Sequence, residues 1–138
     1  MGELDGKVAI VTGAGRLRGI GRAAAVALAR LGADVVVTGT GRDPSSFPDD
    51  EKAIGWRDVE SVADQVREFG QRALTCNVDV SNAVDVQNMV EQAIKEFGRI
   101  DILINNAAYA RGVDRVPILD LDQDVFQKVM DIKVTGTY

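Results

Sequence analysis

The chain has 138 residues, 46% hydrophobic and 27% charged, with a net charge of −5; this suits a single soluble domain and disfavours sequence-blind nucleic-acid binding, since an acidic surface gains nothing against phosphate. No stretch is apolar enough to span a bilayer, Met1-Gly2-Glu3-Leu4-Asp5 is no signal peptide, and the single Cys76 in an apolar run reads as a buried thiol, so a cytoplasmic location is expected. Histidine is absent, which excludes a Ser-His-Asp or Cys-His relay and a histidine-ligated zinc site within these residues.

Lys7 to Thr12 is a short apolar run ended by glycines and predicts a buried strand. Gly19 to Leu31 predicts a helix whose buried face carries Ile20, Ala23, Ala24, Ala27, Leu28 and Leu31, with Gly32 as its stop. Asp34 to Thr38 is a second interior strand. Strand, helix and strand in this order force parallel pairing with a right-handed crossover.

Gly39 to Asp58 then breaks the pattern with Pro44, Ser45, Ser46 and Pro48, and is expected to be an exposed surface insertion, either mobile or a lid. Trp56, the only tryptophan, either anchors this loop to the domain or touches a partner or cofactor. Val59 to Phe69 resumes helical spacing and stops at Gly70. Ala73 to Val78 is a third strand, and Ser81 is positioned to cap a helix running to Phe97, stopped by Gly98. Asp101 to Asn105 is a fourth strand. After a turn-rich segment with Pro117, a last helix starts at Leu121-Asp122, passes through Val125, Phe126, Val129 and Met130, and continues toward Tyr138.

The chemistry-bearing segment is Thr12-Gly13-Ala14-Gly15-Arg16-Leu17-Arg18-Gly19-Ile20-Gly21, between the first strand and the first helix. A pyrophosphate needs close backbone approach, which glycines allow, and free N–H groups, which a helix N-terminus supplies. Gly13 would make the tight turn, while Gly19 and Gly21 would bring backbone, phosphate and helix together.

This segment resembles the glycine motif of the short-chain dehydrogenase/reductase family. Asn105-Asn106-Ala107-Ala108 resembles that family's Asn-Asn-Ala-Gly motif, Asp79-Val80 resembles its acidic pair after the third strand, and Val129 to Gly136 resembles its later helix. The resemblance implies a Rossmann-like α/β fold: a doubly wound parallel sheet in three α/β/α layers, here truncated after about four strands. Residues 1–138 would then be the N-terminal part of a single NAD(P)-binding domain of roughly 250 residues. It implies a cofactor site drawn from Gly13, Arg16, Arg18, Gly19, Ile20, Gly21, Thr40, Arg42, Asp79, Val80, Asn105 and Ala107, with Asp79 holding the adenine amino group. It also implies a small carbonyl or alcohol substrate and a homo-oligomer, dimer or tetramer. From charge, hydropathy and the lack of histidine, neither nucleic acid nor membrane is expected as partner, and no metal.

The chain departs from the family pattern in several places. The glycine motif is two residues longer than usual, with the excess near Leu17-Arg18, and Ala108 replaces a glycine. Lys133 stands where the family carries a catalytic asparagine and, lacking an acceptor, cannot serve its water-mediated relay. The family's serine and Tyr-x-x-x-Lys pair are expected beyond Tyr138, because Tyr109 has Val113 four residues on and Tyr138 has nothing after it. The 138 residues alone are therefore expected to be inactive and poorly stable.

An NAD-specific site places a carboxylate at the end of the second strand. Here that position is Gly39, followed by Thr40 and Gly41, with Arg16, Arg18 and Arg42 nearby in sequence. Guanidinium groups suit a 2′-phosphate, so NADP(H) is favoured, with NAD(H) the alternative if a loop acid such as Asp43 swings in. The leading functional expectation is an NAD(P)-dependent oxidoreductase of the carbonyl reductase or alcohol dehydrogenase type. The alternatives are a catalytically inactive dinucleotide-binding or regulatory protein, and an interaction module using the 39–58 loop.

Overall fold

The computed structural model describes residues 2–109 and 112–138. Four strands, β1 (Val8–Val11), β2 (Asp34–Gly39), β3 (Ala73–Asn77) and β4 (Ile102–Ile104), form one parallel sheet in the order β3-β2-β1-β4. The helices are α1 (Ile20–Arg30), a short α2 (Asp49–Ala53), α3 (Val59–Arg67), α4 (Ala83–Phe97) and α5 (Gln123–Met130). The fold is thus the Rossmann-like, doubly wound parallel sheet that the sequence predicts.

Alternation along the strands explains the two-sided core. Val11, Val35 and Val37 face one side, where α1, α3 and the loop residues Phe47 and Trp56 cover them. Val8, Ile10, Val36 and Cys76 face the other, against Met89 and Ala93 of α4. Both faces are apolar because both carry helices, as parallel sheets require. Burial pushes the Cys76 thiol above its usual range.

The crossover from β3 to β4 carries the chain past β2 and β1 to the opposite edge. Strand order therefore reverses beside β1, which opens a crevice at the carboxyl ends of β1 and β4.

Several local expectations need correction. The buried residues of α1 are Gly21, Ala25 and Ala29, while Ile20 is 80% exposed and Leu31 41%. The helix lies so close to the sheet that only its smallest residues fit beneath it, and the larger aliphatics flank the contact. Helix α4 is capped by Asn82, whose Oδ1 accepts from the N–H of Val84 at 2.9 Å and of Asp85 at 3.2 Å. Ser81 instead donates to Asp79. Beyond α5, residues Asp131–Thr135 wind as a π-turn rather than a regular helix, with the Gly136 N–H donating to the Asp131 carbonyl at 2.8 Å.

The segment 39–58 is more ordered than its composition suggests. Gly39 belongs to β2, paired with Asn77. The segment after it holds a 3-10 turn at Pro44–Ser46 and the helix α2, and buries Phe47, Glu51, Trp56 and Asp58. Most of the segment is exposed, as expected of a surface insertion, but it is anchored rather than loose: an indole and a phenyl ring join the core, and the Arg42–Glu51–Asp58 ion pairs tie down its polar residues. No helix among the described residues is long and apolar enough to cross a membrane.

Candidate functional site

The turn after β1 is stitched to the segment after β4 by two side chains. Thr12 Oγ1 accepts from the N–H groups of Asn106 and Ala107, each at 3.0 Å. Asn106 Nδ2 returns the contact, donating to the carbonyls of Thr12 and Gly13, both at 3.0 Å. Gly13 needs to be glycine, since its φ is +65° and a Cβ there would sit 2.8 Å from the Cα of Ala107. Gly21 has the same need for a different reason: a Cβ would sit 2.7 Å from both the Gly13 carbonyl oxygen and Asn106 Nδ2. The turn and α1 are thus packed to contact, without room for side chains.

Helix α1 begins at Gly19, which offers no side-chain cap, and has no acidic residue in its first turn. Its first N–H groups are left for an external acceptor, and the helix dipole makes an anion the favoured one.

The lengthened part of the glycine loop is held from the 39–58 segment. Trp56 Nε1 donates to the Gly15 carbonyl at 2.7 Å, and the Leu17 N–H donates to Glu51 Oε1 at 2.9 Å. Trp56 thus anchors its loop, one of the two roles its position suggests.

Arg42 joins these pieces. Its Nη1 donates to Glu51 Oε2 at 3.0 Å, and its Nε and Nη2 donate to Asp58 Oδ1 at 2.9 and 2.6 Å. The guanidinium also stacks 4.6 Å from the Phe47 ring centroid. Burial works against charge on Arg42, but its hydrogen bonds to Glu51 and Asp58 and their negative charges outweigh it and hold the guanidinium above its usual range. Glu51 and Asp58 are among the few buried charged residues, at 3% and 7% exposure.

A cleft of about 900 Å³ lies over this assembly. Of the residues the sequence nominates, Gly13, Arg16, Gly19, Ile20, Thr40, Arg42, Asp79, Val80 and Ala107 line it. Gly21 lies beneath the turn, and Arg18 pairs with Asp50 at 2.7 Å outside the lining. Asn105 is exposed and does not line the cleft, whereas its neighbour Asn106 does. The Asp79 carboxyl is held below its usual range, first by the Ser81 hydroxyl, which donates to Oδ1 at 2.6 Å. Lys133 is exposed and outside the lining; Lys128 and Ile132 face the cleft from the same helical stretch. Residues 110 and 111, in the turn-rich segment before α5, lie outside the described residues.

Three residues escape the sequence reading: Asn106, Glu51 and Asp58. Asn106 was legible as half of the Asn105-Asn106 pair. The two acids were not, because nothing in a polar loop marks which carboxylates will be buried. Of the three arginines that favoured NADP(H), two face carboxylates, Arg18 with Asp50 and Arg42 with Glu51 and Asp58.

A model of the short chain dehydrogenase family matches residues 7–138. A cyclohexanol dehydrogenase from a Rhodococcus species is 39% identical over 135 residues, covering 97% of this chain and 48% of that protein. A short chain dehydrogenase from Mycobacterium paratuberculosis, solved bound to NAD, superposes with a TM-score of 0.80 at 32% identity, covering 99% of this chain and 48% of the other. Carveol dehydrogenase from Mycobacterium avium, solved in complex with NAD, superposes with a TM-score of 0.73 at 28% identity, covering 99% and 47%. The chain spans about half the length of the relatives it matches.

Proposed function

Because this chain belongs to the short chain dehydrogenase family, we propose that it forms the dinucleotide-binding half of an oxidoreductase that interconverts a small alcohol and its carbonyl compound. The observation that carries this reading is the uncapped N-terminus of α1 opening into a cleft at the strand-order reversal, beneath a glycine turn with no space for side chains.

The residues present fit a nicotinamide dinucleotide. The N–H groups at the start of α1, with Gly13, Gly19 and Ile20, would hold the pyrophosphate. Asp79, flanked by Val80, would accept from the adenine amino group, and its lowered proton affinity keeps it an acceptor across neutral pH. Ala107, placed by Thr12 and Asn106, would line the passage toward the nicotinamide. When bound, the cofactor supplies or accepts a hydride at C4 of its nicotinamide ring. The proton that accompanies the hydride needs an acid/base group, and by the family resemblance it comes from a serine with a Tyr-x-x-x-Lys pair that residues 1–138 do not contain.

The pairing of Arg18 and Arg42 with carboxylates withdraws most of the argument for NADP(H), and we assign NAD(H) as the cofactor. NAD-bound relatives agree with this choice. The test is titration of the full-length protein with NADH, followed by a panel of secondary alcohols with NAD+ monitored by nicotinamide absorbance. Saturable binding with turnover supports the enzyme. Binding without turnover on any alcohol or ketone would instead favour a dinucleotide-binding regulatory protein, and absence of binding would remove both.

A further inference from the structure

We propose that Asp58, presented from the N-terminus of α3, recognises the adenosine ribose of the dinucleotide and sets the preference for NAD(H). This rests on the dinucleotide-binding reading above and adds to it a residue from an unexpected element.

The end of β2 is where a carboxylate side chain would ordinarily meet the ribose hydroxyls. Here it is Gly39, which has no side chain. The space is not empty, however. A Cβ built on Gly39 would lie 3.5 Å from Asp58 Oδ2, and one built on Gly15 would collide with the same carboxylate. Asp58 therefore brings its carboxylate between Gly15 and Gly39, the position that β2 leaves vacant. Glycine at position 15 is what admits it, while Gly39 leaves the end of β2 without a side chain of its own.

The two oxygens of Asp58 have different surroundings. Oδ1 accepts twice from Arg42. Among the described residues no donor reaches Oδ2, although Asp58 is only 7% exposed and lines the cleft. An unpartnered carboxylate oxygen of a buried residue, open only to the cleft, is suited to accept from a ligand hydroxyl. Arg42 acts as a positioning residue: clamped by Glu51 and stacked on Phe47, it holds Oδ1 and so fixes where Oδ2 points.

The charge balance gives the specificity. One guanidinium faces two carboxylates, leaving this corner net negative. Ribose hydroxyls can donate to Asp58, whereas a 2′-phosphate has only charge to bring against it. Arg16, exposed on the glycine loop and without an ion-pair partner among the described residues, is the cation that would oppose this preference.

The experiment is a set of binding titrations on the full-length protein with NADH, NADPH, NAD+ and 2′-deoxy-NAD+. NADH is expected to bind at least about tenfold more tightly than NADPH. NAD+ should exceed 2′-deoxy-NAD+ by several-fold, a comparison that needs no variant and holds even if Asp58 substitutions fail to fold. Asp58→Asn should lose most of the NADH preference, while Asp43→Asn, an exposed acid of the same segment, should keep it. Equal affinity for NADH and NADPH, or for NAD+ and its 2′-deoxy form, would overturn the role of Asp58 and leave the dinucleotide site standing. Failure of every dinucleotide to bind would overturn both.

Discussion

The indole N–H of Trp56 donates to the carbonyl oxygen of Gly15 at 2.7 Å, and this bond joins the chain's two departures from a plain strand–helix–strand unit. The glycine turn is two residues longer than the family's usual motif, and the segment after β2 is longer than a strand-to-helix connection normally is. Each excess supports the other. The loop supplies Trp56 and Glu51 as partners for the carbonyl of Gly15 and the N–H of Leu17, and the turn supplies the surface on which the loop packs.

Trp56→Phe keeps an aromatic ring but removes the donor and part of the buried surface. It should lower stability by at least about 1 kcal/mol, the net worth of a hydrogen bond, with the lost packing adding to it. It should also weaken NADH binding, because the Gly15 turn is then less firmly held. Denaturant unfolding and an NADH titration on the same preparation measure the two effects. Unchanged affinity would show that the turn is held without the indole.

Arg42→Met leaves Glu51 and Asp58 buried without their cation. Breaking a buried ion pair from one side costs about 3–5 kcal/mol, and since these side chains are 3% and 10% exposed, little solvent reaches them to soften the loss. Arg42→Lys should fall between the two, as one ammonium cannot hold both carboxylates in the same fork. Urea midpoints compare the three proteins.

Thr12→Val has nearly the same shape but leaves the N–H groups of Asn106 and Ala107 without their shared acceptor. A loss of about 1–3 kcal/mol is expected for unsatisfied buried donors, with hydrogen exchange at these two amides rising as the specific signature. Protection that stays as in the parent would mean another acceptor takes over.

Acid sensitivity should centre partly on Asp101. Hydrogen bonds from Arg99, and then from the Val8 N–H at 2.9 Å, hold its carboxyl below the usual 3.8. A carboxylate with a lowered folded value contributes stability that is fully present above its unfolded value and is lost as the pH falls through the folded one. Stability should therefore decline from about pH 4 downward, and Asp101→Asn should flatten that decline while leaving the fall contributed by other carboxylates. A parallel pH profile for parent and variant would assign the acid transition elsewhere.

Much of this molecule was readable along the chain. Three valines in a row, glycine stops and alanine-rich helical spacing are local signals, and they determine four parallel strands and the helices between them. The glycine turn and the Asp79-Val80 pair were equally local, and the cleft includes both. The anchoring of the 39–58 segment by Phe47 and Trp56, the rotation of α1 onto Gly21, Ala25 and Ala29, and the caging of Arg42 were decided only in three dimensions. Each depends on residues far apart in sequence meeting at van der Waals or hydrogen-bond distance. Composition shows that a loop is polar, but whether an arginine is free to hold a phosphate or already spent on two carboxylates depends on which acids the packing of one tryptophan brings beside it.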